Sequence, residues 1–503
     1  MGGIPYQSQG CTACRKRKVR CDLGRPQCVR CIKRRTFCPG YERDRFVIYQ
    51  DVNTVSEGQM QYYGRGKSLM LPPAMSASLT MRSQMFSKFL DLSFPLEMVS
   101  SDEIDILPSL VVNISTRPGK SEMLERALAA IACIYLGRTH GDRNLSQIGI
   151  QNYDIAIRYM SRLLSRQVQS DDMIYTTVIF QVIQSFHCPY GLRVWLTHMA
   201  GTNALLRHCS QNRSIEAPIN GIYRKLQKLM MIYSTVVMEW PQEDYRCLQQ
   251  YSSSGAPLDD LFELFAVEAS LLSTTHRIDH SDSQACETFL QSCYSHRERI
   301  LRWYCQNQSY IGGAPITCDS WELECRIQPG ENLFGAPYLF KSLDHLRLHV
   351  LYWTALTMVQ SLIYQAKILV LANKKPNTVF PVVPGAHEEY LLAGHYAGQI
   401  CRTIPFCLQP RMKLAGARAV IASVPHICKP FIHLRDQKRF LWCQNVSSVL
   451  DDLGFHMASQ LRRTASQYWD LSKDPRLNST LSLSLRWDIS EDMSGELLKR
   501  SPT

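Results

Sequence analysis

Nowhere in its 503 residues does this chain hold a run of about eighteen or more consecutive apolar residues, so the sequence announces no membrane-spanning helix. The opening MGGIPYQSQG lacks a basic stretch followed by an apolar one, and a secretory leader is therefore not expected. Tyr6 stands where acylation at Gly2 would want Ser or Thr. CxxC pairs are also absent beyond residue 38, and the thirteen cysteines past that point are scattered through apolar segments. These absences argue against a disulfide framework and a membrane partner, and place the 19 cysteines in a reducing compartment as thiols or metal ligands. Most of the thirteen read as small buried residues.

Catalytic signatures are missing too. Gly66-Lys67-Ser68 and Gly119-Lys120-Ser121 end like phosphate-binding loops, but Gln61 and Ile114 replace the glycine required five residues earlier. His387-Glu388 has Leu391 where a zinc-protease helix needs its second histidine, and His395 comes too late. With no nucleophile, cofactor loop or second metal constellation, the chain is expected not to be an enzyme.

Negative charge is scarce at one end. Residues 1–45 carry twelve Lys and Arg against Asp22, Glu42 and Asp44, a net +9 that leaves +3 for all the rest of the +12 chain. A polyanion-binding head on a nearly neutral body is the reading. The length suits two or three domains, and 45% hydrophobic with 20% charged residues is ordinary for a globular protein.

Within that head lies CTACRKRKVRCDLGRPQCVRCIKRRTFC, residues 11–38, whose cysteine gaps are 2, 6, 6, 2 and 6. Cys11, Cys14 and Cys21 thus recur 17 residues later as Cys28, Cys31 and Cys38. Two tetrahedral zinc ions need eight bonds, which six thiolates supply only if two of them bridge, and the first cysteine of each half can do so. Each CxxC closes a chelating turn, and each longer gap leaves room for about a turn of helix before the third sulfur returns. With few large apolar side chains in about 30 residues, the metal would also supply the folding energy. Two Zn²⁺ and six thiolates leave a charge of −2, so the Arg and Lys between them offset the cluster while keeping a positive outer face suited to phosphate.

Together with the basic run Arg15 to Lys18, the Cys21-Asp22 pair and Pro26 between the halves, this stretch resembles the fungal binuclear zinc-cluster family, Zn(II)2Cys6. The resemblance implies two Zn²⁺ as cofactors. One is held by Cys11, Cys14, Cys21 and Cys28, the other by Cys11, Cys28, Cys31 and Cys38. It further implies double-stranded DNA as the partner, at promoter sites containing CGG, with the short helix after the second cysteine turning its C-terminal end to the major groove. Lys18, with Arg17 beside it, is then the expected base contact, since Lys or Arg on guanine is the commonest specific pairing. Arg15, Lys16, Arg20, Lys33, Arg34 and Arg35 are expected on phosphates. The runs RKRK and KRR also suit nuclear import, so the nucleus is the expected location.

The expected organisation is a Zn(II)2Cys6 DNA-binding domain over 1–43, a linker over 44–80, a large all-α regulatory domain of stacked antiparallel helices over 81–473, and an acidic-hydrophobic tail over 474–503. The linker sustains no apolar a/d repeat over three heptads, unlike the dimerising coiled coil many family members place there. A monomer, or a homodimer formed by the body, fits equally. In the body, Met123, Leu124, Ala127, Leu128, Ile131 and Ile134 recur at helical spacing, as do Ile155, Tyr159, Met160 and Leu163. Similar stretches run near 169–186, 192–209, 217–239, 284–306, 341–373, 386–403 and 435–464. The segment from Ala127 to His208 resembles the fungus-specific regulatory domain found behind such clusters, on ALAAIA (127–132), YDIAI (153–157) and Trp195-x-x-His198-x-x-Gly201. Trp195 and His198 share a helical face, where a packed aromatic and a satisfied core histidine are expected rather than a ligand pocket. The tail RWDISEDMSGELL suits a coactivator or the transcription machinery, or frays as a last helix. The chain therefore reads as a sequence-specific regulator of RNA polymerase II transcription, controlling a metabolic or secondary-metabolite gene cluster. The competing reading is a helical interaction or ligand-sensing protein whose zinc head is only a scaffold.

Overall fold

The structure, a computed structural model, describes residues 10–24, 27–38, 79–94, 107–116, 118–166, 170–187, 192–212, 256–275, 277–374 and 386–473. The helical stretch expected at 217–239, the tail and nearly all of the linker lie outside the described residues.

Two five-residue helices, α1 (Thr12–Lys16) and α2 (Val29–Lys33), make up the head. The body opens with α3 (Leu79–Ser93), α4 (Leu107–Thr116), α5 (Glu122–Thr139), α6 (Arg143–Ser165), α7 (Asp171–Phe186) and α8 (Leu192–Asn212). It continues with α9 (Pro257–Thr275), α10 (Ser283–Gln306), α11 (Glu331–Phe334), α12 (Leu343–Lys374), α13 (Ala386–Cys407), α14 (Lys413–Ile421), α15 (Val424–His433), α16 (Gln437–Asp452) and α17 (His456–Leu471). The described strands are two dipeptides, Ile316–Thr317 and Tyr338–Leu339, paired antiparallel with Ile316 opposite Leu339.

Local chemistry sets the helix boundaries. Gly141, at φ +68°, ends α5, and the next residue, Asp142, starts α6 by accepting a hydrogen bond from the Leu145 amide at 3.0 Å. The turn is tight, so α5 and α6 fold back as an antiparallel hairpin. Their backbones nearly touch: a Cβ on Gly149 would lie 2.7 Å from the Ile134 amide nitrogen, and one on Gly137 would lie 2.6 Å from that of Ser146. Gly454, at φ +98°, interrupts the amphipathic stretch expected over 435–464 and splits it into α16 and α17. Helices α3, α4, α9, α11, α14 and α15 are additional to the expected segments.

At the centre lies α12, which has the length of a membrane span and whose most apolar 18-residue window has mean hydropathy 1.5. Its apolar surface is covered by protein: α9, α10, α13, α14 and α15 all pack on it, and 78% of its most apolar window is buried. The sequence shows no such run because Thr354, Thr357, Gln360, Ser361, Gln365 and Lys367 interrupt it; Thr354, Thr357 and Ser361 are buried. All three hydroxyls donate to carbonyls one turn back, at 2.7, 2.8 and 3.0 Å, so they enter the core satisfied. Directions are mixed around this helix. Thr354 meets Ser423 at 2.9 Å and the Tyr364 ring faces His433 at 6.5 Å, so α12 and α15 run the same way.

An aromatic chain closes the body. Phe89, Tyr135, Phe186 and Phe455, from α3, α5, α7 and the residue before α17, have successive ring centroids 5.4, 5.5 and 5.1 Å apart. Lys413 adds to this by donating to the carbonyls of Asp91 and Phe94 at the end of α3.

The α5–α6 approach predicts an unusual sign for a helix substitution. On an open helix Gly→Ala stabilises by about 1 kcal/mol, but Gly149→Ala should overpack the hairpin and cost about 1–3 kcal/mol. Thermal melts followed at 222 nm should show a lowered midpoint. An unchanged or raised midpoint would mean the two backbones are further apart than this.

Candidate zinc centre and nucleic-acid interface

The six head cysteines converge. Among the described residues, two groups have the mutual spacing of a metal site: Cys11, Cys14, Cys21 and Cys28, and Cys11, Cys28, Cys31 and Cys38, with all ligand atoms in each group within 4.8 Å of one another. Cys11 and Cys28 belong to both. The sulfurs of Cys11 and Cys28 are 3.8 Å apart, as are those of Cys14 and Cys28, and Cys11 and Cys31 lie at 3.9 Å. A disulfide would need about 2.05 Å. Four thiolates around zinc at about 2.3 Å sit roughly 3.8 Å from one another in a tetrahedron, so the spacing fits two four-coordinate ions sharing an edge. Burial pushes the Cys11 thiol up to about 11 and raises Cys14, Cys28 and Cys31 as well. Closing this site on zinc therefore drives off protons.

The 17-residue cysteine repeat is a repeat of backbone. The Cys11 amide donates to Cys21 Sγ and the Cys28 amide to Cys38 Sγ, each at 3.5 Å. In the first half the Lys18 amide donates to the Arg15 carbonyl and the Val19 amide to that of Cys14, at 3.0 and 3.1 Å. In the second half the Arg35 amide donates to Ile32 and the Thr36 amide to Cys31, at 2.9 and 3.1 Å. Both are Schellman caps, which need a left-handed residue just past the helix. Lys18 (φ 55°) and Arg35 (φ 51°) supply it.

Two side chains break the symmetry. The guanidinium of Arg17, expected beside Lys18 at the base edges, donates to Cys14 Sγ at 3.7 Å and Cys31 Sγ at 3.6 Å, one sulfur from each half. Asp22 links the halves from outside. Its carboxylate accepts from the Val29 and Arg30 amides at 2.8 and 3.1 Å, satisfying free donors at the start of α2. These bonds, Val29 first, hold it below the usual carboxylate range. The sequence offered Asp22 only as a neighbour of Cys21, and its acidity in so basic a stretch was the available signal. Lys16, Lys18, Arg20, Arg30, Lys33, Arg34 and Arg35 are exposed, while Arg15 and Arg17 are half-buried.

Elsewhere, the motifs at 119–121 and between 153 and 198 have structural partners. Ser121 caps α5 through the Leu124 amide and Lys120 donates to the Ser115 carbonyl at 2.9 Å, so Gly119-Lys120-Ser121 is a helix start. Tyr153 of YDIAI meets His198 Nε2 at 2.7 Å, and Gln184 donates to the same phenol at 2.8 Å. Trp195 is buried, and burial takes His198 down to about 4, which keeps it a neutral core histidine. Among the body cysteines described, eight are buried, Cys325 is half-buried and Cys305 exposed.

Comparison with known proteins places this geometry. Residues 9–45 match the family model of the Fungal Zn(2)-Cys(6) binuclear cluster domain. No curated protein and no solved structure matches the chain. The spacing of the sulfurs, the doubled caps and this match agree: residues 9–45 form a binuclear zinc-cluster domain, which binds two zinc ions and is the DNA-binding module of fungal transcription regulators.

Proposed function

We propose that this protein is a nuclear, sequence-specific regulator of RNA polymerase II transcription that recognises CGG-containing promoter sites. The observation that carries the reading is two cysteine quartets sharing Cys11 and Cys28 beneath an exposed basic surface. Zinc supplies the folding energy of the head and performs no reaction. Cys11, Cys14, Cys21 and Cys28 would hold one ion, and Cys11, Cys28, Cys31 and Cys38 the other.

The chain's own residues then divide the work. Lys18 extends from the exposed end of α1 and would donate to guanine O6 and N7 in the major groove. Arg17 serves recognition indirectly, since its guanidinium offsets the negative cluster and leaves Lys18 to the bases. Arg15, Lys16, Arg20, Lys33 and Arg34 would set register on phosphates. The helical body is read as the regulatory domain, supported by the packing of Tyr153 against His198 from two of its motifs. Control of a metabolic or secondary-metabolite gene cluster, with a coactivator or the transcription machinery as further partner, follows from the zinc-cluster resemblance.

Two measurements test the reading. Zinc content should be two per chain in the wild type, fall to about one in Cys38→Ser, and fall below that in Cys28→Ser, because Cys28 serves both quartets. Two zincs retained by Cys28→Ser would overturn the bridging assignment. For recognition, Lys18→Gly keeps the left-handed cap without strain and removes only the side chain. It should cost about 1–3 kcal/mol on CGG duplexes and flatten preference at one guanine. Wild-type affinity should also fall steeply with salt. An unchanged base preference in Lys18→Gly would remove Lys18 from the recognition scheme.

A further inference from the structure

Two prolines shape α15. Pro425 stands in its first turn, where a missing amide breaks no helical bond, but Pro430 lies inside the helix. Pro430 has no N–H to give the His426 carbonyl one turn back, and its ring crowds that carbonyl, so residues 426–430 cannot close as an ordinary helical turn. Beside this turn, between α9, α12 and α15, lies a cavity with about 320 Å³ of empty space counted to its mouth. Leu272, Met358 and Leu362 line its apolar side, and Thr357, Ser361, His426 and Lys429 its polar side. The narrow end holds little more than one water, so the cavity suits a short ligand.

The polar side is basic. Among the described residues no Asp or Glu lines it. Thr357 and Ser361 give their hydroxyl protons to carbonyls of α12, which leaves the nitrogens of His426 and Lys429 to face the cavity as donors. His426 is 3% exposed and its Nε2 has no hydrogen-bond partner, a costly arrangement unless a group entering the cavity meets it. Lys429 follows three residues later on the same face of α15 and is half-buried. Burial takes His426 down to about 3 and Lys429 to about 7. Further along α15, His433 stacks on Tyr390 with centroids 4.3 Å apart, and Tyr390 meets Tyr364 at 4.2 Å, so that end of the seam is filled by rings.

From this we infer that the cavity is a binding site for a short-chain carboxylate, whose apolar end lies among Leu272, Met358 and Leu362 and whose oxygens accept from Lys429 Nζ and His426 Nε2. The inference concerns the body alone and does not depend on the DNA-binding reading. A carboxylate beside Lys429 favours its ammonium form, and hydrogen bonds between charged partners are stronger than neutral ones. Met358 is unbranched and adapts to the shape of what enters.

The test uses full-length, zinc-loaded protein and two probes of one shape, isobutyrate and the uncharged isobutyramide, with binding followed by ligand-observed NMR at matched ionic strength. Isobutyrate should bind, and isobutyramide should bind roughly tenfold or more weakly. Lys429→Met keeps the side chain's length without its charge, and His426→Leu removes the ring nitrogens. Each should weaken isobutyrate binding by roughly 10- to 150-fold, the loss of one hydrogen bond to a charged group. Leu272→Phe fills the apolar end and should also abolish binding, which keeps the test decisive if a change on α15 prevents folding; melts at 222 nm identify the folded variants. Lys438→Met, on the exposed surface of α16, should bind as wild type does. Equal binding of the two probes, wild-type affinity in folded Lys429→Met or Leu272→Phe, or no binding of isobutyrate by wild type would each overturn the inference. So would an equal loss in Lys438→Met, which would mark a general effect of surface charge. Selection of CGG duplexes by the same wild-type preparation reports separately on the DNA-binding reading.

Discussion

Everything in the head depends on sulfur. Residues 11–38 place Val19, Leu23, Val29 and Ile32 substantially in solvent, while Cys11, Cys14, Cys28 and Cys31 are fully buried. The interior is the thiol cluster, with Ala13 and Cys21 packed against it. A stretch this short cannot bury enough apolar surface to offset its conformational entropy, so the metal–thiolate bonds act as the core. Structural zinc contributes about 10–16 kcal/mol in small domains of this kind. That surplus permits features a hydrophobic core of the same size would not tolerate: five-residue helices, well short of independent stability, and backbone held in left-handed conformations at Lys18, Leu23 and Arg35.

Coordination also governs the electrostatics. Six thiolates and two Zn²⁺ leave a net −2 in a space a few ångströms wide, and the sequence answers with a basic run. Arg17 turns inward to sulfurs of both halves. The other basic side chains keep a positive outer surface next to a negative interior, an arrangement that repels neither the cluster nor a phosphate backbone. Asp22 shows the same economy with opposite sign. A lone carboxylate among cations could have been a liability for DNA binding, but its oxygens are spent on the amides at the start of α2.

How much of this was legible beforehand follows from what each signal encodes. Six cysteines at a fixed offset constrain one another, so two ions with two bridging thiolates could be read from spacing, while the membership of each quartet came from the resemblance to the zinc-cluster family. The left-handed caps could not, because Lys and Arg carry no conformational signature where glycine would have announced one. Arg17 was misleading for a related reason: adjacent basic residues look alike in sequence, and only the backbone decides which one turns towards sulfur. In the body, helical periodicity identified α5, α6 and α10, whose apolar faces repeat cleanly. It ran through the break at Gly454, since the amphipathic phase resumes on the far side. The parallel run of α12 and α15 had no sequence signal, because it is fixed by contacts such as Thr354 with Ser423, 69 residues apart.

The same separation of roles explains how recognition can change without endangering the fold. In an ordinary small domain the side chains that build the core constrain those that face the ligand, because they share helices and packing. Here the ligating sulfurs carry the stability, and the residues at the helix ends are tied to them only through backbone hydrogen bonds. A left-handed side chain costs roughly 1–2 kcal/mol, small against the contribution of the metal. Lys18 and Arg35 can therefore be exchanged for any residue that the cap accepts while both quartets stay closed. Stability lies with the cysteines, the exposed cap residues are tied to them only through the backbone, and the 17-residue repeat supplies a second such helix end at no further demand on the cluster.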